Sequence, residues 1–153
     1  MALQVTNSPA SGLIASMRPK QWVKNLLVLA VPLASGTFLE PEVIARTLLA
    51  FVAMCAASAA VYLTNDILDR EADRRHPVKR DRPIAAGSVS VPAATAVAVL
   101  LAVAAVAVPA LLGSPALSGL IVGYLLLQVF YVFWAKHQPV LDLACVSAGF
   151  VLR

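Results

Sequence analysis

The stretch from Val43 to Leu63, VIARTLLAFVAMCAASAAVYL, runs without a break into Asn65-Asp66-Ile67-Leu68-Asp69-Arg70-Glu71-Ala72-Asp73. The first part is apolar except for Arg46 near its start, and a run of about 20 such residues is what a helix needs to cross a bilayer. The second part is the reverse. The segment from Asp66 to Arg82 holds five of the chain's eight carboxylates and six of its twelve Lys/Arg residues. The whole chain is 60% hydrophobic and 13% charged, with a mean hydropathy of +0.83, well above a soluble domain. Charge that is scarce elsewhere and collects at the end of a membrane span is a functional candidate by default.

Outward from this pair, the apolar pattern predicts further spans. One runs from Val23 to Phe38 and is kinked at Pro32, which cannot donate an intrahelical hydrogen bond. Others run from Val91 to Leu112 and from Ala116 to Trp134, and a fifth apolar run begins near Val140. The expected fold is an all-α integral membrane bundle of about four complete spans plus the start of a fifth. The pattern breaks off inside a helix at Arg153, so residues 18–153 are expected to be the N-terminal half of a longer membrane domain. Residues 1–17 are Ser- and Pro-bearing without an apolar signal core, and are expected to form a flexible or interfacial arm. Ala53, Ala56, Ala57 and Ala60 would let neighbouring helices approach closely. Cys55 and Cys145 lie inside apolar runs and read as small buried hydrophobes, with no disulfide or metal site indicated.

With four spans before Lys136, ten cations fall on one side: Arg18, Lys20, Lys24, the six from Arg70 to Arg82, and Lys136. Arg46 stands alone on the other. This bias puts the acidic motif on the cytoplasmic side of a multi-pass protein of the cell membrane.

If the helix continues past Leu63, Asp66, Asp69 and Asp73 fall at i, i+3 and i+7 and share a face, with Asn65 beside it. Three like charges on one stripe repel unless cations offset them. Mg²⁺ suits such a site, because it binds through a few carboxylates and takes phosphate oxygens of a substrate. Pro77 disfavours helix at His76, after which Lys79, Arg80 and Arg82 can reach back as phosphate ligands. The plainer reading is a solvated, salt-bridged loop of alternating charge. Lys24 and Asn25 read either as interfacial anchors or as substrate contacts. Tyr131 and Lys136 read either as interfacial belt and snorkelling residues or as phosphate ligands. Asp142, a few residues into a span, is costly there unless it serves a site. No nucleic-acid partner is expected.

Asn65-Asp66-x-x-Asp69-x-x-x-Asp73, followed by Lys79-Arg80-x-Arg82-Pro83-Ile84-x-x-Gly87, resembles the first aspartate-rich signature of the UbiA superfamily of membrane prenyltransferases. Arg18-Pro19-Lys20-Gln21-Trp22-x-Lys24-Asn25 and Tyr131-x-x-x-x-Lys136-x-x-x-x-Leu141-Asp142 resemble its phosphoribosyl-transferring branch, which includes decaprenyl-phosphate phosphoribosyltransferases. The resemblance implies a bundle of about nine helices with two facing Asp-rich motifs, the second lying outside these 153 residues. It implies that Asn65, Asp66, Asp69 and Asp73 hold Mg²⁺ on the donor pyrophosphate. The implied donor is phosphoribosyl pyrophosphate, the acceptor a polyprenyl (decaprenyl) phosphate, and the product a precursor for cell-wall arabinan. Activity is not expected from this half alone. Two other functions fit the residues: prenyl transfer from a polyprenyl pyrophosphate to an aromatic acceptor, or a cation-binding membrane transporter or scaffold.

Overall fold

The computed structural model describes residues 8–135 and 138–153, and among them every regular element is helical. The order is α1 (Pro9–Ser16), a 3-10 segment (Pro19–Leu29), α2 (Ala30–Ser35), α3 (Pro41–Leu68), α4 (Arg70–Arg75), a 3-10 turn (Lys79–Asp81), α5 (Pro83–Ala86), α6 (Val91–Leu111), α7 (Pro115–Phe133) and α8 (Pro139–Val151). Proline opens α1, α3, α5, α7 and α8. Its fixed φ suits a first turn, where the missing N–H has no intrahelical partner to lose.

Three helices, α3, α6 and α7, are long and apolar enough to cross a membrane. Their bounds lie close to the predicted spans, except that α3 runs past Leu63 to Leu68 and so carries Asn65 and Asp66 on the helix itself. Small residues line the seam between α3 and α6. Ala53, Ala57 and Ala60 of the first and Ala94, Ala98 and Ala105 of the second are all buried. With no hydrophobic drive in lipid, this close approach is what holds the two helices together. Ser118 of α7 donates to the Val106 carbonyl of α6 at 2.7 Å, pinning the third span to the second.

The first predicted span differs in kind. It is not one kinked α-helix but eleven residues of 3-10 helix followed by the six of α2. Pro32 cannot donate to the carbonyl of Val28, four residues back, so α geometry is interrupted just upstream of it. The burial pattern has the threefold period of a 3-10 helix: Trp22, Asn25 and Val28 turn inward, while Gln21, Val23, Lys24, Leu26 and Leu27 are exposed. At about 2.0 Å per residue for 3-10 and 1.5 Å for α, the combined segment reaches about 30 Å, a hydrocarbon thickness, despite its small residue count.

Within the N-terminal arm, residues 9–16 form α1, whose first turn is closed by the Ser8 side chain accepting from the Ser11 amide. The stretch from His76 to Ser90 is not a loose charged loop throughout. Ile84, Ala85 and Val89 are buried, and Ile84 and Val89 form a compact apolar cluster with Leu63, Ala94 and Ala98. Leu13 and Met17, on or just after α1, and Ile67 of α3 pack against it. Gly12 permits the contact: a Cβ there would lie 3.0 Å from Val89 Cγ2 and 3.2 Å from Pro83 Cβ. Gly87 ends α5 at φ 84°, a conformation that favours glycine.

Candidate active site

The apolar cluster under α5 fixes where Arg82 goes. Arg82 is the residue before Pro83, held extended by that proline, and it points back to the end of α3. Its Nη1 donates to Asp73 Oδ2 at 2.7 Å and to Asp66 Oδ1 at 3.3 Å. Arg74 secures the same fold-back from the other side, donating from Nε to the Ala85 carbonyl at 3.0 Å. Arg18 donates to Asp66 Oδ1 at 2.5 Å and lays its guanidinium 4.9 Å from the centre of the Tyr62 ring. Asp66 and Asp73 are both about 3% exposed. Buried carboxylates are costly unless paired, and here two guanidinium groups pair two carboxylates.

The helix does not run straight through the acidic motif. α3 ends at Leu68, α4 begins at Arg70, and Asp69 stands at the joint with φ −86° and ψ 1°. The joint is mild, since the amides of Asp69 and Asp73 still donate to the carbonyls of Asn65 and Asp69. Asp66 and Asp73 therefore remain near enough to share one arginine. Asn65 is half-buried beside Asp66. Of the three cations expected to reach back, only Arg82 does so. Lys79 and Arg80 are exposed on the 3-10 turn. His76 ends α4, its Nδ1 accepting from the amides of Val78 and Lys79, as suits a helix-end residue.

For a divalent cation, the donor types are suitable: Asp66, Asp69, Asp73 and Asn65 offer the hard oxygens that Mg²⁺ prefers. Among the described residues no three His, Cys, Asp or Glu side chains stand together as a ready metal site. The space between Asp66 and Asp73 is spanned by Arg82.

A second polar constellation lies farther along α3, on the same face. Cys55, Ser58, Tyr62 and Asp66 recur at spacings of three and four residues. Asn25 of the 3-10 segment is 1% exposed and donates to Cys55 Sγ at 3.3 Å and to Ser58 Oγ at 3.5 Å. Arg153 donates from Nε to Asn25 Oδ1 and from Nη2 to the Tyr124 hydroxyl, both at 2.9 Å. Gln128 donates to that same hydroxyl at 3.1 Å. Asn25, weighed as an anchor or a substrate contact, is thus a buried cross-link. Lys24 is exposed at the mouth of a polar pocket of about 250 Å³ that Tyr131 also lines. The Tyr131 side chain lies beside the Asp142 carboxylate of α8. Lys136 lies outside the described residues.

Arg18 and Arg153 are the site residues that sequence reasoning passed over. Arg18 had a signal: it precedes Pro19, which disfavours helix there, and it caps the 3-10 segment; its left-handed φ of 53° is not what a following proline favours. Arg153 had none, because its partners lie on distant helices.

A family model described as the UbiA prenyltransferase family matches residues 26–153. The decaprenyl-phosphate phosphoribosyltransferase of Mycolicibacterium smegmatis is 48% identical over 147 residues, covering 94% of this chain and 46% of that protein. The protein of the same name from Corynebacterium glutamicum is 46% identical over 147 residues, covering 94% and 44%. That of Mycobacterium tuberculosis H37Rv is 46% identical over 160 residues, covering 97% and 51%. The chain spans about half the length of these relatives.

Proposed function

Because this chain belongs to the UbiA prenyltransferase family, we propose that it forms the donor-binding half of a membrane transferase. That enzyme moves 5-phosphoribose from phosphoribosyl pyrophosphate to a polyprenyl phosphate, at the cytoplasmic face of the cell membrane and toward cell-wall arabinan. The observation that carries the reading is the Asp66–Arg82–Asp73 bridge at the end of a membrane helix, in a chain 46–48% identical to named phosphoribosyltransferases.

In this reading Arg82 and Arg18 give part of their hydrogen bonding to pyrophosphate oxygens of the donor. Guanidinium groups bind such oxygens through parallel, charge-assisted hydrogen bonds. Asn65, Asp66, Asp69 and Asp73 would hold Mg²⁺, which supplies charge to offset that of the leaving group. The C1–O bond to pyrophosphate breaks, and pyrophosphate leaves with the bonding pair. A lipid phosphate oxygen forms the new C1–O bond, so no proton need move. Donors fixed in place before the reaction stabilise the developing charge without having to reorganise.

The test uses the full-length protein in membranes with Mg²⁺, labelled phosphoribosyl pyrophosphate and polyprenyl phosphate. Lipid-extractable label is expected, abolished by a chelator and restored by Mg²⁺. Asp66→Ala should lower turnover by about 10²- to 10³-fold while the protein still inserts. Absence of lipid-extractable label from the wild type sinks the proposal. The family's name favours a second reading, transfer of a prenyl group from its pyrophosphate to an aromatic acceptor. Labelled polyprenyl pyrophosphate with such an acceptor, under the same conditions, distinguishes the two.

A further inference from the structure

Arg153 differs from the two arginines of the acidic cluster in its company. Arg18 and Arg82 face carboxylates. Arg153 donates to Asn25, Tyr124 and the Gly149 carbonyl, and lies 5.1 Å from the centre of the Tyr124 ring and 5.6 Å from that of Phe150. All of these partners are uncharged. The polar pocket it lines, of about 250 Å³, has Lys24 at its mouth and, among the described residues, no carboxylate in its wall, with Asp142 set behind Tyr131. A cation among membrane helices with only neutral partners is expensive. Among the described residues Lys24 and Arg153 bring two cations to this cavity, and the carboxylate beside it, Asp142, is engaged by Tyr131, so the cavity carries a positive surplus that an anion would offset.

Tyr62 separates the two polar regions. One side of it meets Arg18, and its side chain also lines the Arg153 pocket. The two regions are thus neighbours on one face of α3, one with its charges balanced and one with cationic excess. Gln128 lines the cationic pocket and also an apolar groove of about 320 Å³ between α3, α6 and α7. A polar cavity that touches an apolar groove suits a ligand with an anionic head and a hydrocarbon tail.

We infer that the pocket of Lys24, Tyr62, Gln128, Tyr131 and Arg153 binds the phosphate monoester head of the lipid acceptor, with Arg153 as its principal charged ligand. This rests on the phosphoribosyl reading above for the identity of the lipid. It assigns the two substrates to opposite sides of Tyr62. Arg153 reaches the phosphate from a position already fixed by Asn25 and Tyr124, so little conformational freedom is lost on binding. Gln128, also in the pocket wall, offers a neutral hydrogen bond.

The experiment uses full-length protein in nanodiscs, with two readouts. The first is equilibrium binding of labelled polyprenyl monophosphate without donor. The second is the KM for lipid and for phosphoribosyl pyrophosphate measured separately. Arg153→Gln should weaken lipid binding and raise the lipid KM by about ten- to a hundredfold, the range for losing a charged hydrogen-bonding partner. The donor KM should stay within about twofold. Lys24→Gln tests the same pocket from its exposed mouth, where folding is not at stake, with a smaller shift in the same direction. Unchanged lipid KM in both variants overturns the inference. So does a rise in the donor KM alone, which would hand the pocket to the ribose 5-phosphate. Lipid binding lost in both variants of a protein that transfers no phosphoribose would defeat the function proposed above and leave this site standing.

Discussion

Arg18 and Asp66, 48 residues apart in sequence, meet at 2.5 Å, and the arginine does so from a left-handed backbone at φ 53°. For a residue with a Cβ that conformation costs about 1–2 kcal/mol. It persists because the guanidinium is held by Asp66 and by the face of Tyr62. Two substitutions separate the backbone from the side chain. Arg18→Ala keeps the unfavourable conformation and loses the pair, whereas Arg18→Gly loses the pair but removes the steric cost. Both should impair donor binding alike. Thermal unfolding of the full-length protein in detergent should show the glycine variant more stable than the alanine variant by about 1 kcal/mol. Equal stability would mean that the backbone at this joint relaxes freely.

Gly12 sets the distance between α1 and the segment that carries Arg82. Gly12→Val would drive a side chain into Val89 and Pro83, which lie 3.0 and 3.2 Å from the position of a Cβ. Overpacking of this kind costs about 1–3 kcal/mol. Because Pro83 follows Arg82 directly, the displacement should also appear as a raised donor KM with the lipid KM unchanged. Steady-state kinetics on the full-length variant checks this. A loss of stability without any change in donor KM would uncouple α1 from the site.

Asn25 is the hub of the buried network, receiving from Arg153 and donating toward Cys55 and Ser58. Asn25→Leu fills similar space but takes a hydrogen-bond acceptor from a guanidinium in a poorly solvated place. Leaving such a group short of a partner costs about 1–3 kcal/mol or more. Asn25→Leu/Arg153→Met, which removes both polar partners, should recover part of that loss, because an apolar replacement of a whole pair is often nearly neutral. Denaturation midpoints of the two variants in the same detergent decide the matter.

What the sequence makes legible here is local. Apolar runs locate α3, α6 and α7 because a span must be continuous in sequence, and the i, i+3, i+7 spacing brings Asp66 and Asp73 together because only a slight joint at Asp69 interrupts the helix. The extended backbone of Arg82 is legible too, since Pro83 follows it, but not the direction its side chain takes. The 3-10 geometry from Pro19 to Leu29 is not, because α and 3-10 helices share dihedral ranges and differ mainly in the contacts that favour one. Nor is the contrast between Arg82, which turns inward, and Lys79 and Arg80, which stay exposed. That choice is made by the apolar cluster of Leu63, Ile84 and Val89, assembled from segments far apart in the chain. Arg153 belongs to the same class: its bonds to Asn25 and Tyr124 exist only once the 3-10 segment and α7 are packed beside it.

The 3-10 segment also gears two residues together. With three residues per turn, Lys24 and Asn25 stand about 120° apart, one at the pocket mouth and the other locked inside. Rewinding its eleven residues to α geometry would shorten the segment by about 5 Å and swing both side chains at once. The stretched winding of this segment thus places Lys24 at the pocket while Asn25, one residue on, is held inside against Arg153.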